Sequence, residues 1–179
     1  MDEDKKILIK KTGRKLSYLL RHDPEDLNMD SKGWVFVTDL LDKLSISKTL
    51  LDFIVMTNDK QRYSYNEDET KIRANQGHSL KVDVELKKKV PPIVLYHGTS
   101  EKACKIIMKK GLDKMRRNHV HLSKDVETAE DVGSRHSSSP IILVIDCEEM
   151  VKDGFDFYLS DNGVWLTDHV PAKYINQWD

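Results

Sequence analysis

The sequence is poor in cysteine and in long apolar runs, and each shortage excludes a class of protein. Only two of the 179 residues are cysteine, Cys104 and Cys147, so we expect two reduced, buried thiols rather than a disulfide framework. The longest purely aliphatic run covers residues 141–145, far short of the roughly 20 residues that cross a bilayer. The opening residues MDEDKKILIKK also lack the apolar stretch of a signal peptide. We therefore expect an intracellular, cytoplasmic protein without membrane contact.

The chain also has no large excess of positive over negative residues, or of negative over positive ones. The chain has 29 Lys and Arg residues against 30 Asp and Glu residues, for a net charge of −1. Such a chain has no global positive field that would bind nucleic acid indiscriminately. Arginine is scarce, with seven residues against 22 lysines. Arginines placed sparingly in short polar patterns suit bidentate recognition of anions, although any one of them could equally be an ordinary surface residue.

Hydrophobic periodicity predicts two lobes and an α+β fold class. A helix over residues 5–22 must end before Pro24, and further helices are predicted to begin at Thr38 and Ser47. With the hairpin predicted over 61–74, this order is that of a winged helix, so a winged-helix-like lobe is predicted over 1–85. The stretch ELKKKVPP predicts a solvated linker at 86–92. Residues 93–179 then alternate helices with strands, the latter near 93–96, 120–123, 140–145 and 164–167.

Several familiar chemistries find no support in the sequence. The seven histidines show no common zinc-binding spacing with cysteine or carboxylate support, so no metal is expected. A phosphate-binding glycine loop of the GxxxxGK[ST] or GxGxxG kind is absent, and the serines at 137–139 lack the pattern of a nucleophile elbow.

One stretch, residues 58–79, concentrates polar residues that suit a ligand. Its last five residues, Asn75 to Ser79, combine amide, glycine, imidazole and hydroxyl groups, a composition that predicts no core but suits a backbone held close to a polar ligand. Lys60, Arg62 and Arg73 are available nearby to meet an anion. Arg21 and His22 fall at the end of the first predicted helix, where the helix dipole alone would also explain a cation.

A second group of polar residues recurs at predicted strand and loop ends of the C-terminal half. A single histidine at such a position is more often structural than functional. Glycines, hydroxyls and imidazoles repeated at four strand or loop ends instead suit a nucleotide with ribose hydroxyls and a pyrophosphate. These residues are His97-Gly98-Thr99, His121-Leu122-Ser123, Gly133 with Arg135 and His136, and Asn162-Gly163-Val164-Trp165.

The candidate residues lie in seven short motifs. These are LSYLLRHDP (16–24), KQRYSY (60–65), IRANQGHS (72–79), LYHGT (95–99), RRNHVHLS (116–123), VGSRH (132–136) and NGVWLT (162–167). In this order the motifs resemble those of the RNA 2'-phosphotransferases, also called tRNA 2'-phosphotransferases. The resemblance runs from about residue 10 to the C-terminus.

The resemblance implies an enzyme that transfers an internal RNA 2'-phosphate to NAD+. In that family the 2'-phosphate attacks the nicotinamide-bearing ribose carbon, nicotinamide leaves, and a 2'-phospho-ADP-ribosylated RNA forms. A ribose hydroxyl then displaces the RNA, which gives ADP-ribose 1'',2''-cyclic phosphate and an RNA 2'-OH. The family's essential Arg-His-Arg-Arg set falls on Arg21, His22, Arg62 and Arg117, and its supporting lysine on Lys60.

The resemblance also implies an ADP-ribosyltransferase-like NAD-binding lobe over 93–179. The H-H-V signature of that lobe falls on His97, His121 and Val164. A phosphate monoester with a second pKa of about 6 is largely a dianion near pH 7. It needs no general base, which agrees with a hydrophobic residue at the last signature position.

Each residue in the motifs is then expected to have a role. The three arginines would clamp the phosphate with help from Lys60, and His22 would hydrogen-bond a phosphate oxygen, its part in proton transfer being open. The backbone of Gly98 and Gly163 would hold the NAD ribose and nicotinamide amide. The cofactor-binding set is expected to be His97, Gly98, Thr99, His121, Leu122, Ser123, Arg135, His136, Asn162, Gly163, Val164 and Trp165, with Trp165 behind the ligand and Arg135 and His136 towards the pyrophosphate or the adenosine. The expected partners are 2'-phosphorylated RNA and NAD+, with no metal, and the protein is expected to be a monomer.

Two alternatives stay open. The same site could place ADP-ribose on a nucleic-acid terminal phosphate and stop after the first step. The chain could also be a non-enzymatic winged-helix protein that binds nucleic acid, in which case binding would not depend on NAD+ or on His97 and Thr99.

Overall fold

The computed structural model describes residues 2–178 of the chain. The chain divides between Glu85 and Leu86 into two compact units, called here unit 1 and unit 2. Each unit has its own hydrophobic core. The mixture of helices with small antiparallel sheets agrees with the predicted α+β class.

Unit 1 combines three helices with a three-stranded antiparallel sheet in the order β1-β3-β2. In this sheet Ile72 of the central strand lies opposite Val35 on one side and Tyr65 on the other. The elements are α1 (Glu3–Arg21), β1 (Val35–Phe36), α2 (Val37–Leu44), α3 (Lys48–Met56), β2 (Tyr63–Tyr65) and β3 (Lys71–Ala74).

Capping residues explain where the helices of unit 1 begin. The Asp2 carboxylate accepts the backbone N–H of Lys5, and the Ser47 hydroxyl accepts that of Leu50, which confirms the predicted cap of α3. The cap predicted at Thr38 is wrong. The observed N-cap is Phe36, two residues earlier, and helix α2 begins at Val37, whose N–H donates to the carbonyl of Thr70 in the hairpin at 2.9 Å. This backbone hydrogen bond thus positions the N-terminal end of α2 without a side-chain cap.

The core of unit 1 lies between α1 and the sheet. Leu16, Leu19 and Leu20 of α1 are fully buried, as the helical spacing predicts, and they belong to one cluster with Leu40, Leu51 and Ile72. This burial brings the C-terminal end of α1 against the strand β3 and the segment that follows it. The positions of Arg21 and His22 therefore follow from the packing of the helix.

Unit 2 has three α-helices and a short 3-10 helix among the described residues. The helices are α4 (Glu101–Lys110), α5 (Val126–Gly133), α6 (Cys147–Lys152) and the 3-10 helix Ala172–Tyr174. The strands are β4 (Lys87–Lys88), β5 (Val94–Thr99), β6 (Leu112–Asp113), β7 (Val120–Leu122), β8 (Ile141–Asp146), β9 (Tyr158–Leu159), β10 (Trp165–Thr167), β11 (His169–Val170) and β12 (Ile175–Gln177).

The strands of unit 2 form antiparallel sheets in the orders β4-β9-β10-β7, β12-β8-β5 and β11-β6. The first two sheets meet where Tyr96 and Ser123 exchange backbone hydrogen bonds of 2.9 and 2.8 Å. Strand β8 lies between β5 and β12 and is the apolar run read from the sequence, with Leu143 and Ile145 fully buried. The bridge aligns the ends of two strands, β5 and β7, that carry predicted site residues.

Two further expectations can be compared with the structure. The predicted linker at 86–92 is not wholly irregular, because Lys87 and Lys88 form the edge strand β4 opposite Leu159 and Tyr158. Cys104 and Cys147 are free and buried, as expected. None of the helices within residues 2–178 is both long and apolar enough to cross a membrane.

Candidate functional site

The cationic residues of unit 1 begin at the end of α1. His22 is the C-cap residue, and its backbone N–H donates to the carbonyl of Tyr18. Arg21 is half-buried, with its Nε and Nη2 atoms shielded from solvent. Its backbone carbonyl, at the C-terminal end of the helix, accepts the N–H groups of Ser79 at 2.9 Å and Leu80 at 3.4 Å. A segment distant in sequence therefore binds the end of α1 that carries Arg21 and His22.

That segment, residues 75–79, is called the NQGHS segment here, and it contacts three cationic residues in turn. The Asn75 N–H donates to the carbonyl of Arg62 at 2.9 Å. Gly77 has a φ of +88°, and a Cβ at this position would lie 3.6 Å from Cζ of Arg21. Ser79 places its hydroxyl 3.0 Å from Nδ1 of His22. Arg21, His22 and Arg62 are thus brought together along five residues.

Arg62 and Lys60 belong to the loop before β2. Asn58 Oδ1 accepts both the backbone N–H and Nη1 of Arg62 at 3.1 Å, so a single amide fixes the start of the side chain and its end. Asp59, which is largely exposed, lies 3.8 Å from the same Nη1. Gln61 turns the chain with a φ of +40°, and its carbonyl accepts the Asn75 side chain at 2.7 Å. Lys60 is half-buried in the same loop.

Two expectations about this region are wrong. The NQGHS segment does contribute to the interior, because Asn75 and His78 are only 4% and 2% exposed. Arg73 is no anion ligand on the surface. It is buried, its guanidinium lies 4.4 Å from the ring centroid of Trp34, and Nη1 is 3.6 Å from a Glu85 carboxylate oxygen. Strand β3 alternates its side chains between two environments, and Arg73 points into the aromatic one.

His78 is a buried neutral imidazole surrounded by positive charge. Burial lowers its pKa, and the charges of Arg21, His22 and Arg73 lower it further, to about 4. A second cation at this position would repel the guanidinium of Arg21. The neutral ring instead lies in the interior of unit 1.

In unit 2 the strand ends predicted to bind a ligand lie side by side. His97, in β5, donates from Nδ1 to the carbonyl of His121 in β7 at 3.1 Å, since a carbonyl can only accept. His121 in turn directs its own Nδ1 to the carbonyl of His119 at 3.1 Å. Desolvation lowers the pKa of His97, and the charges of Arg117 and His136 lower it further. The hydrogen bond to the His121 carbonyl raises the pKa but does not reverse the shift. His97 is therefore neutral near pH 7, with Nε2 as its acceptor.

Arg117 lies in the loop before β7, where its N–H donates to the carbonyl of Lys114 at 3.0 Å. The residue as a whole is exposed, yet desolvation of the guanidinium lowers its pKa, and the charge of Arg135 lowers it further. An arginine still keeps its charge near neutral pH. The charge of Arg135 lowers the pKa of Arg117, and the charge of Arg117 lowers that of His97. The three residues therefore lie in one positively charged area of unit 2.

Two glycines bring α5 directly against β5. A Cβ on Gly98 would lie 1.8 Å from the carbonyl oxygen of Ala129, and one on Gly133 would lie 3.1 Å from the carbonyl carbon of Gly98. The lack of a side chain at Gly98 is thus required by packing, in addition to any role of its backbone. Arg135 and His136 follow on the exposed end of α5, where the His136 N–H donates to the carbonyl of Gly133 at 2.9 Å.

The fourth predicted group lies in the turn before β10. Gly163 has a φ of +77° and open space around it. The buried hydroxyl of Ser160 lies 2.8 Å from Asn162 Oδ1 and 3.0 Å from both the N–H and the carbonyl of Val164. The side chain of Trp165 is in the core of unit 2, opposite Leu122 of β7. Thr99, Leu122 and Trp165 are buried, so their side chains belong to the interior of unit 2.

Comparison with known proteins decides the family. The family model for the RNA 2'-phosphotransferase, Tpt1 / KptA family matches residues 8–169. A probable RNA 2'-phosphotransferase of Fusobacterium nucleatum is 52% identical, over 98% of this chain and 99% of that protein. Proteins of the same description from Trichormus variabilis and Flavobacterium johnsoniae are 51% and 50% identical, over 93% and 94% of this chain and 94% and 96% of their own lengths. The chain belongs to the RNA 2'-phosphotransferase family.

The matched region of the RNA 2'-phosphotransferase family contains every candidate residue of both units. No group of three or more His, Cys, Asp or Glu side chains within residues 2–178 is placed to hold a metal ion.

Two residues that shape these regions were not given individual roles from the sequence. Asn58 and Ser160 hold Arg62 and Val164 through side-chain bonds. The sequence signals for these residues are weak. One is a serine two residues before an Asn-Gly turn, and the other is an asparagine four residues before an arginine. Both residue types are common in loops. The burial of His78 has no local signal.

Proposed function

We propose that the protein is an NAD+-dependent RNA 2'-phosphotransferase that removes an internal RNA 2'-phosphate. The RNA phosphate would displace nicotinamide from NAD+, and a 2'-phospho-ADP-ribosylated RNA would then release ADP-ribose 1'',2''-cyclic phosphate and RNA with a 2'-OH. Family membership supports the reaction class. The observation that carries the proposal is the NQGHS segment, which holds Arg21, His22 and Arg62 together beside a neutral, buried His78.

Each unit would have its own task. Unit 1, with three helices and a hairpin, is proposed to be a winged-helix-like RNA-binding lobe. Unit 2, with its paired small sheets, is proposed to be an ADP-ribosyltransferase-like lobe that binds NAD+ as a co-substrate. We further propose that the active protein is a monomer.

The residues of unit 1 suit a phosphate dianion that is already a nucleophile. Since its second pKa is about 6, the 2'-phosphate is mostly ionised near pH 7 and needs charge balance and orientation more than deprotonation. Arg21 and Arg62 are restrained before any ligand arrives, by the NQGHS segment and by Asn58 respectively. Guanidinium groups fixed in advance stabilise developing charge without reorganisation cost. His22, held at Nδ1 by Ser79, would hydrogen-bond a phosphate oxygen through Nε2. Lys60 would add to the same charge balance, and Arg117, in unit 2, is proposed to stabilise negative charge that develops during the reaction.

The residues of unit 2 suit the ribose and amide groups of NAD+. The neutral ring of His97 directs Nδ1–H to a carbonyl, which leaves Nε2 as an acceptor for a ribose hydroxyl. Val164 offers a hydrocarbon side chain where a base is not required. The Ser160 hydroxyl holds its backbone in place. Arg135 and His136, exposed at the end of α5, would face the pyrophosphate or the adenosine.

One assay tests the proposal. The protein is mixed with an oligoribonucleotide carrying an internal 2'-phosphate, with and without NAD+, and the products are separated. We expect nicotinamide, dephosphorylated RNA and ADP-ribose 1'',2''-cyclic phosphate in equal amounts, only with NAD+. An unphosphorylated oligonucleotide and one with a 5'-phosphate are the controls.

Two outcomes would contradict the proposal. ADP-ribose that stays attached to the 5'-phosphorylated control would identify a terminal-phosphate ADP-ribosyltransferase. RNA binding without any NAD+-dependent product would identify a binding protein.

A further inference from the structure

Helix α1 carries a concentration of positive charge that the net charge of the chain hides. Residues 5–21 contain seven lysines and arginines and no aspartate or glutamate, the acids of the helix being Glu3 and Asp4 in its first turn. The whole chain, in contrast, has a net charge of −1. A local positive field therefore extends along this one helix.

Four of the seven charges, those of Lys10, Lys11, Arg14 and Lys15, fall on a single face that ends at His22. Residues 7, 11, 14/15, 18 and 22 follow one another at steps of three and four, which places them along one side of the helix. Lys10, Lys11, Arg14, Lys15 and Ile7 line a shallow depression on this side. The stripe of Lys10, Lys11, Arg14, Lys15 and Tyr18 is called the α1 stripe here. By the helical rise it extends about 18 Å from Lys10 to His22.

Most of this charge is not neutralised by the protein. Within residues 2–178 no ion pair joins Lys10, Lys11 or Arg14 to an acidic side chain, and all three are exposed. Lys15 is paired with Glu25. Charges kept in this state on one face are available to an anionic partner.

An aromatic ring joins the charges to the candidate site. Tyr18 is 46% exposed. Its ring centroid lies 6.1 Å from that of His22, and the Lys15 ammonium lies 5.6 Å from the tyrosine centroid. Basic residues interleaved with an exposed ring are typical of surfaces that follow a single nucleic-acid strand, where phosphates meet cations and a base stacks on the ring.

We propose that the α1 stripe binds the RNA strand that flanks the 2'-phosphate. Lys10, Lys11 and Arg14 contact successive backbone phosphates, and Tyr18 stacks on the base next to the nucleotide held at His22. This inference rests on the proposed function, because it assumes that the 2'-phosphate lies at Arg21 and His22. It adds that affinity comes from RNA beyond the modified nucleotide and is independent of base sequence.

An anionic lipid surface is the competing partner for this face. Ile7 and Leu8 are exposed beside the lysines, and a helix with basic and apolar residues can lie on a membrane. RNA is favoured because the stripe ends at a residue of the candidate site and carries an aromatic ring there. The apolar side chains, in contrast, lie at the far end of the helix.

The test compares two triple variants with equal changes of charge. K10Q/K11Q/R14Q removes three cations from the α1 stripe. The control K102Q/K109Q/K110Q removes three exposed lysines from α4 in unit 2. Turnover is measured on a 2'-phosphorylated dinucleotide and on a 2'-phosphorylated 12-mer. Binding of a fluorescent 12-mer is measured by anisotropy at several salt concentrations, and binding to phosphatidylserine vesicles by co-sedimentation.

We expect the stripe variant to raise KM for the 12-mer at least tenfold and to change kcat/KM for the dinucleotide less than twofold. The slope of log affinity against log salt should fall by about 2, since each phosphate contact on a single strand contributes about 0.7. The control should match the wild type in both respects.

The inference would be overturned if the stripe variant and the control variant changed KM for the 12-mer by the same factor. It would also be overturned if the stripe variant left the slope of log affinity against log salt unchanged. Vesicle binding that the stripe variant loses, with RNA affinity unchanged, would assign the face to lipid instead. If the wild type turns over neither substrate, the proposed function fails, while the salt slope of 12-mer binding still decides the role of the stripe.

Discussion

The two units hold their candidate residues by different means. In unit 1, Arg21, His22 and Arg62 all contact one five-residue segment, and the side chain of Asn58 also binds Arg62. In unit 2, His97 and His121 are held by sheet register and by the direct contact of α5 with β5. A contact made by one side chain can be lost without unfolding, whereas a strand end cannot move without its sheet. Substitutions in unit 1 should therefore change activity more than stability, and those at the strand ends the reverse.

The largest effect should follow from Arg62→Ala. This side chain is restrained at Nη1 by Asn58 and belongs to a loop rather than a core. Its loss should lower kcat by roughly 10²- to 10³-fold, as for one preorganised donor to a developing charge. Thermal unfolding should shift little, because the ion pair to exposed Asp59 contributes little stability.

The control is Arg116→Ala, which removes an exposed arginine outside the proposed set and should keep wild-type turnover of the 2'-phosphorylated dinucleotide. A wild-type rate in Arg62→Ala would remove this residue from the proposed phosphate clamp.

Gly98→Ala should give the opposite result in unit 2. A methyl group here would meet the carbonyl oxygen of Ala129 at 1.8 Å, and only a shift of α5 could relieve that contact. Because backbone must move, we expect a loss of about 3 kcal/mol or more in the free energy of unfolding. Urea unfolding monitored by amide signals of β5 and β8 measures it. Stability within 1 kcal/mol of the wild type would show that the contact of α5 with β5 is not the rigid feature described here.

A pH titration can separate the two units through their histidines. His78 in unit 1 has a pKa of about 4 against 6.5 in an unfolded chain. Between pH 6.5 and 4 the imidazole of His78 is protonated in the unfolded chain but not in the native state. The free energy of unfolding therefore decreases as the pH falls. The loss reaches about 3 kcal/mol at the lower end. Stability is fully present above pH 6.5.

His78→Gln should flatten this slope for the amide signals of α1 and leave the slope for β5, where desolvation lowers the pKa of His97, unchanged. The ring signals of His78 give the direct measurement. A midpoint near 6.5 for this residue would contradict its buried, neutral state.

The comparison also shows what could be predicted from the sequence. Helix α1, the Ser47 cap and strand β8 have strong periodicity or local chemistry, and the structure confirms all three. Helix α6 has six residues, too few for a periodic pattern, and β4 consists of two lysines paired with β9. Their existence depends on partners distant in sequence.

The candidate residues could be named from their motifs, but the contacts that hold them could not. Arg73 and Arg62 are separated by one hairpin, yet one stacks on Trp34 and the other stays half-exposed in a loop. Only the fold distinguishes a structural arginine from a candidate ligand. The roles proposed for the individual site residues stay predictions.

Two serines offer a smaller, matched contrast. Ser79→Ala removes the hydroxyl 3.0 Å from Nδ1 of His22 but keeps the backbone bond to Arg21. It should lower kcat about tenfold, since His22 loses an orienting bond, with little change in melting temperature. Ser160→Ala removes a buried hydroxyl that binds both backbone groups of Val164, and should cost about 1–2 kcal/mol of stability. A wild-type kcat in Ser79→Ala would show that the hydroxyl does not position His22.

The smallest effects should come from two glycines with the same backbone conformation. Gly77 in unit 1 and Gly154 in unit 2 both have a φ of +88°, so alanine at either position should cost about 1 kcal/mol. They differ in what a methyl group would meet. At Gly77 it would lie 3.6 Å from the guanidinium carbon of Arg21, whereas nothing lies within 4 Å at Gly154. A separation of 3.6 Å is an ordinary van der Waals contact, so the methyl group would touch Arg21 without forcing it to move. We therefore expect the turnover of both variants to stay within about twofold of the wild type. A larger loss for Gly77→Ala than for Gly154→Ala, at equal stability, would show that the NQGHS segment needs a glycine beside Arg21.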